Sequence, residues 1–147
     1  MKKILIRDMH EQDIPSVAQI EQNSFPTPWS TNSFFSEIHK SRSIAKVAVL
    51  DGTVIGYICA EHVLDEGHIL NLAVHPDYRR MRIAECLVKN IVEALKLKKC
   101  RFLYLEVRAS NLTAQRLYKG LSFKFIGVRK NYYLAPEEDA AIMMRDI

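Results

Sequence analysis

Three arginines crowd one short turn. Arg79, Arg80 and Arg82 follow His75-Pro76-Asp77-Tyr78 and precede an amphipathic run that continues to Leu97. A helix start carries partial positive charge and unpaired backbone amides, so cations placed there oppose the dipole. Arginines gathered at such a point make chemical sense when an anion sits on the amides and the guanidiniums help hold it. The plainer reading is a solvated basic patch on a chain whose formal net charge is +4. Elsewhere the reactive residue types are scattered. His10, His39, His62, His68 and His75 show no metal-ligand spacing and receive no role. Cys59, Cys86 and Cys100 are odd in number and lie within apolar stretches, as reduced core thiols do, and fit neither a disulfide framework nor a zinc site. Judged locally, Glu106 is an exposed strand-end carboxylate beside Arg108, and Tyr118 is a core aromatic on a short helix.

The elements that must position these residues are readable in outline. Ile69-Leu70-Asn71-Leu72-Ala73-Val74 is nearly all apolar and predicts a strand buried on both faces, which His75-Pro76-Asp77 stops. Ile83, Leu87, Val88, Ile91, Val92 and Leu95 then form one helical stripe. Arg101–Val107 is another strand, and strand, helix, strand in succession implies a right-handed crossover between parallel neighbours. Upstream, Ile4–Arg7 predicts a first strand. Asp13 and Pro15 open a helix that runs to about Asn23. Phe25-Pro26-Thr27-Pro28-Trp29-Ser30 interrupts it, and Ser30 or Thr31 caps a second helix carrying Phe34, Phe35 and Ile38. From Ser43 to Glu61 the pattern is a hairpin about Asp51-Gly52, suited to a type I′ turn, with a polar loop over His62–Gly67. Downstream, Asn111 caps a short helix with Ala114, Leu117 and Tyr118 on one face. Gly120 is expected to end it as a left-handed cap. Strands over Phe123–Arg129 and Ala140–Met144 flank a loop containing Tyr132, Tyr133 and Pro136.

Composition bounds the class. The chain, residues 1–147, suits a single soluble domain with a real core. Met1-Lys2-Lys3 hints at a signal peptide, but the apolar run stops at Arg7-Asp8. No stretch is long and apolar enough to span a membrane, and the expected location is cytoplasmic. The modest positive charge tolerates an anionic ligand or a ribosomal neighbourhood without calling for direct nucleic-acid binding.

Several separated segments together resemble the GNAT superfamily of N-acetyltransferases. Arg79-x-x-x-x-Ala84 after Val74-x-Pro76-x-Tyr78 is similar to the family's pyrophosphate loop. More specific are Glu106-Val107-Arg108-x-Ser110-Asn111 with Tyr118 downstream, Leu70–Val74, Phe25 with Pro28-Trp29-Ser30, and Arg129–Tyr133. The resemblance covers essentially the whole chain. It implies a mixed α/β acyl-CoA N-acyltransferase fold, with a sheet of about seven strands and about four helices. It also implies acetyl-CoA as co-substrate, no metal, and a protein N-terminus as partner. The nearest resemblance is to members that acetylate the N-terminal alanine of a small-subunit ribosomal protein. On this resemblance Glu106 is the base and Tyr118 the acid. Leu72, Ala73 and Val74 run along the pantetheine arm. Arg79, Arg80, Met81, Arg82, Ile83, Ala84 and Glu85 surround the diphosphate, and Asn111 either reaches the cofactor or caps its helix. Phe25, Pro28, Trp29, Tyr132 and Tyr133 form the peptide side, with a hydrophobic plug as the alternative for Trp29. Two residues depart from the pattern, Arg82 and Ser122, each standing where the family has glycine. Two rival functions share these features: a small-molecule amine acetyltransferase, since fold does not fix substrate, and a non-catalytic acyl-CoA-sensing or ribosome-binding module.

Overall fold

A computed structural model describes residues 3–147; Met1 and Lys2, part of the lysine-led start and of the expected 1–147 domain, lie outside the described residues. Among the described residues, seven strands form one mixed sheet in the order β1-β2-β3-β4-β5-β7-β6. They are β1 (Leu5–Asp8), β2 (Ser43–Leu50), β3 (Thr53–Val63), β4 (Glu66–Val74), β5 (Phe102–Arg108), β6 (Lys124–Leu134) and β7 (Glu137–Asp146). Four α-helices accompany them: α1 (Ile14–Ser24), α2 (Thr31–Ile38), α3 (Ile83–Leu97) and α4 (Leu112–Gly120). One core layer joins α3 and α4 to one face of the sheet, through Leu87, Ile91, Leu105, Tyr118 and Phe123 among others. The second joins α1 and α2 to the other face, through Ile14, Val17, Phe34 and Tyr57.

The α3 stripe is buried residue for residue as its spacing predicts. Ser30 caps α2 by accepting from the Ser33 amide at 3.1 Å. Asp51 and Gly52 both take positive φ, 49° and 78°, as a type I′ turn requires. Where β3 runs beneath the first turn of α3, Gly56 permits a close approach. A Cβ on Gly56 would stand 3.2 Å from the Ala73 carbonyl and 3.3 Å from Ile83.

The decisive feature lies between β4 and β5. They pair in parallel from Glu66↔Phe102 only as far as Ile69↔Leu105. At that point Leu70 is skipped in the β3–β4 register, where Cys59 faces Asn71 and Ala60 faces Ile69. An extra residue in one strand bends it. Past the bulge β4 and β5 have no pairs, and Leu70–Val74 keep a free backbone edge toward β5.

Five expectations need correction. The organising strand is not buried on both faces: Leu70, Asn71, Leu72 and Val74 are half-buried, because the gap beside β5 opens over them. The polar loop over 62–67 shrinks to Leu64-Asp65, since ladder bonds extend β3 and β4 almost to the turn. Tyr132 and Tyr133 lie in β6 rather than in a loop, past an irregularity between Arg129 and Tyr133 in the β6–β7 register. Gly120 is helical, and the left-handed residue closing α4 is Ser122, φ 73°. Cys86 is exposed on the outer face of α3, whereas Cys59 and Cys100 are buried thiols.

Candidate active site

The gap between the splayed strands widens into a cleft of about 520 Å3. Its walls include Ile69–Val74 of β4, Leu105–Arg108 of β5, Ala114 and Tyr118 of α4, and Phe25 and Trp29 of the α1–α2 connection. Strand alternation places Glu106 on the α1–α2 face of the sheet, while Tyr118 rises from the α3–α4 layer. The two therefore reach the cleft from opposite sides.

The half of the cleft along β4 and the start of α3 is built locally. Arg79 donates from Nε to the Val74 carbonyl at 3.2 Å, so this arginine ties the turn to the strand end. Arg80 and Arg82 are exposed and both take left-handed backbone, φ 68° and 59°. No side chain caps α3. Its first ladder bond runs from the Cys86 amide to the Arg82 carbonyl, so the amides of Ile83, Ala84 and Glu85 precede the ladder. That is a cradle suited to a diphosphate: uncapped amides with guanidiniums beside them. Ile83 is buried in the core and Glu85 pairs with Lys89 at 3.0 Å, so each offers its backbone alone. Of the 79–85 segment, Arg79 and Ala84 lie on the cleft wall, whereas Arg80, Met81, Arg82, Ile83 and Glu85 stand beyond it. The unpaired edge of Leu72–Val74 presents backbone groups to an extended ligand arm. Asn111 caps α4, its side chain accepting from the Ala114 amide at 3.1 Å, and it also lines the cleft.

The opposite half is assembled from distant parts of the chain. Thr27 donates from its hydroxyl to the Ala135 carbonyl at 2.6 Å, joining the α1–α2 connection to the β6–β7 turn. Arg108 stacks over the Tyr133 ring at 4.3 Å and bonds the Pro136 carbonyl at 2.9 Å. Phe25, Trp29 and Tyr133 line the cleft, but Pro28 and Tyr132 do not. Trp29 also packs on Phe34, ring centroids 5.2 Å apart, so the plug reading and the cleft reading both hold for it.

Two features escape the sequence reading. Glu21 is buried on the cleft wall at 2% exposure. Its carboxylate accepts from the Tyr57 hydroxyl, from Asn71 Nδ2 at 3.1 Å and from the Trp29 amide at 3.0 Å. Its place on the stripe of Ile14, Val17 and Ala18, where a charge breaks the apolar pattern, is the available signal. The second is His68, whose Nε2 lies 2.6 Å from Glu106 Oε2. No spacing in the sequence announces it, because the contact crosses between parallel strands.

Burial raises the phenols around the cleft. Tyr118 is pushed well above its ordinary value by burial and by Tyr133, and Tyr133 itself goes up to about 12, mainly by burial. Both stay protonated, as donors, across the neutral range. Among the described residues no group of His, Cys, Asp and Glu could hold a metal ion, and no helix is long and apolar enough to cross a membrane.

Comparison with known proteins agrees with this geometry. The model of the acetyltransferase (GNAT) family matches residues 14–123. A putative [ribosomal protein bS18]-alanine N-acetyltransferase of Bacillus subtilis is 40% identical over 142 residues, covering 96% of this chain and 94% of its own. The crystal structure of the ribosomal-protein-S18-alanine N-acetyltransferase from Escherichia coli superposes with a TM-score of 0.89 at 33% identity, covering 99% of this chain and 94% of that one. Arabidopsis thaliana NAA60 in complex with acetyl-CoA gives 0.88 at 26% identity, covering 99% and 100%.

Proposed function

The chain belongs to the GNAT acetyltransferase family, and from that premise we propose that it transfers acetyl from acetyl-CoA to a protein N-terminus. The proposed acceptor is the N-terminal alanine of a small-subunit ribosomal protein. The observation that carries the reading is the cleft itself. A free strand edge and an uncapped helix start lie on one side, and Phe25, Trp29 and Tyr133 line the other. The names of the relatives from Bacillus subtilis and Escherichia coli support the alanine and the ribosomal partner.

Bound acetyl-CoA supplies the acetyl thioester; the chain supplies the rest. Arg80, Arg82 and the amides of Ile83–Glu85 hold the diphosphate end, and the edge of Leu72–Val74 aligns the arm. An α-amine has a pKa near 8, so roughly a tenth is already neutral at pH 7, whereas a lysine amine near 10.4 starts about two orders of magnitude worse. A moderate base therefore suffices for an N-terminal substrate. Glu106 takes the ammonium proton, directly or through one water. Tyr118, raised by burial, holds its own proton until the departing sulfur competes for it. Substrate specificity then lies with the Phe25–Trp29 connection and Tyr133.

The test is acetylation of a peptide panel differing at the first residue, mapped by mass spectrometry, with lysine side chains and free amines as competing acceptors. Acetylation confined to the α-amine of alanine-first peptides is the expected outcome. Preference for free amines would instead establish the small-molecule enzyme, and no turnover would establish the binding module.

A further inference from the structure

The carboxylate of Glu106 stands at an awkward place. The last β4–β5 pair is Ile69↔Leu105, so Glu106 is the first β5 residue past the shared ladder, with β7 as its only strand neighbour. A glutamate has three rotatable bonds, and ordering it costs side-chain entropy unless neighbours fix it. Glu106 is nevertheless placed, with its side chain 7% exposed.

His68 makes its shortest contact. It sits opposite Tyr104 in the parallel register, and alternation puts His68, Tyr104 and Glu106 on the same face of the sheet. The imidazole stacks on the Tyr104 ring, centroids 4.2 Å apart and planes 7° from parallel, so its own rotamer is clamped. From there Nε2 reaches Glu106 Oε2 at 2.6 Å. An ionised carboxylate only accepts, so the imidazole is the donor. Glu106 has two further neighbours: Arg129 Nε forms a longer ion pair with Oε1 at 3.8 Å from a half-exposed side chain, and the Tyr132 phenol, raised by burial and then by Glu106, lies beside the same carboxylate.

We propose that His68 is a positioning residue for the reaction: it pins Oε2 of Glu106 and thereby turns Oε1 to the substrate ammonium. The idea rests on Glu106 being the base. The imidazole keeps its Nε2 proton throughout. The ammonium N–H breaks, an O–H forms on Oε1, and the freed amine pair attacks the thioester carbonyl carbon. Glu61, across from His68 on β3, is held by Arg42 at 3.1 Å, so it does not compete for the imidazole donor. Tyr104 contributes the stacking face. Glutamine at 68 offers an amide donor of similar reach, and alanine offers nothing.

The experiment compares wild type with His68→Ala, His68→Gln, Glu106→Gln and the double variant His68→Ala/Glu106→Gln. Steady-state kcat and KM for peptide and for acetyl-CoA are measured with the melting temperature of each. His68→Ala should lower kcat roughly 10- to 100-fold, the cost of about an ångström of misplacement, with both KM values near wild type. His68→Gln should recover most of that loss. On the Glu106→Gln background His68→Ala should cost nothing further, because a residue acting through Glu106 has nothing left to position. A His68→Ala enzyme with wild-type kcat overturns the proposal, and so does an equal loss on both backgrounds. If Glu106→Gln itself turns over like wild type, the base assignment fails and takes this proposal with it. That outcome is distinct from a failure of His68 alone.

Discussion

The two halves of the cleft are built by opposite strategies. The half proposed to hold the cofactor comes mainly from one continuous stretch, Ile69 to Leu97: a bulged strand, an arginine turn, and a helix whose buried stripe fixes its rotation. The half proposed to receive the peptide draws on α1, β3, β4, β5 and the β6–β7 turn. Bonds such as Thr27 to Ala135 and Trp29 to Glu21 hold it across long separations in sequence. A site made from one stretch can be weakened only locally. A site made from five fails when any shared anchor is removed.

Glu21 is that anchor, and its loss should produce the largest effect. Glu21→Leu keeps roughly the volume but leaves the Tyr57 hydroxyl, the Asn71 amide and the Trp29 N–H without their acceptor. Each buried unpaired donor costs about 1–3 kcal/mol. The variant should lose about 3 kcal/mol or more in urea unfolding, on the lower bound of that sum. Its peptide KM should rise while acetyl-CoA affinity stays near wild type. Equal weakening of both ligands would mean the halves are mechanically one.

Next in size is the chemistry where the halves meet. Glu106→Gln should cost on the order of 10²-fold in kcat/KM, the range for losing a general base. Tyr118→Phe should act mainly on kcat, since its proton is demanded only as the sulfur leaves. A thioester with a better leaving group should rescue Tyr118→Phe but not Glu106→Gln. The pH profile carries a sign as well. Activity should rise toward pH 8 as the α-amine loses its proton. Burial raises Tyr118 and Tyr133, and a raised phenol keeps its proton as pH climbs. No alkaline fall should therefore appear at the ordinary phenol value near 10. Turnover by both variants within about threefold of wild type would remove the catalytic assignment.

The arginine turn sharpens the local half. Arg80→Ala should weaken acetyl-CoA binding by about 1–3 kcal/mol, the scale of a charged hydrogen bond. Arg82 takes φ 59°, a conformation glycine adopts freely, so Arg82→Gly relieves backbone strain while removing one cation. Arg82→Glu keeps the strain and reverses the charge. Calorimetric titration should rank wild type and Arg82→Gly close together and Arg82→Glu clearly weaker. Identical affinities for wild type and Arg82→Glu would place this side chain outside the site.

What was legible in the sequence follows the same division. Local signals survived folding: the α3 stripe, the Ser30 and Asn111 caps, and the Asp51-Gly52 turn. The family resemblance brought Glu106 and Tyr118 to one cleft, which their immediate surroundings did not. His68 and Glu21 stayed hidden for different reasons. The His68 contact depends on a parallel register set by distant hydrogen bonds, while Glu21 was visible as a charge on an apolar stripe and received no role. The extra length of β6 and β7 came from cross-strand pairing that no single segment encodes.

One local signal was misread, and it offers the smallest and most direct test. A glycine near a helix end suggests a left-handed terminator, which pointed to Gly120. The backbone instead keeps Gly120 helical with open space where its Cβ would go, and the left-handed position falls on Ser122. The closing bonds agree, since Phe123 donates to the Tyr118 carbonyl at 2.9 Å and Ser122 to that of Lys119 at 3.1 Å. In that pattern the residue after the C-cap bears the positive φ. The two glycine readings predict opposite signs. If Gly120 were the terminator, Gly120→Ala would destabilise the domain, because Cβ disfavours left-handed backbone by roughly 1–2 kcal/mol. With Gly120 helical and unhindered, Gly120→Ala should stabilise by about 0.5–1 kcal/mol, the usual alanine advantage inside a helix. Ser122→Gly should also stabilise, but by less, since the strain it removes is partly offset by the freedom glycine adds to the unfolded chain. For a chain of this size a 1 kcal/mol gain raises Tm by about 2–4 °C, within reach of calorimetry. Lower melting temperatures for both variants would return the terminator to Gly120. They would also weaken the placement of Tyr118, whose carbonyl accepts the closing bond of α4.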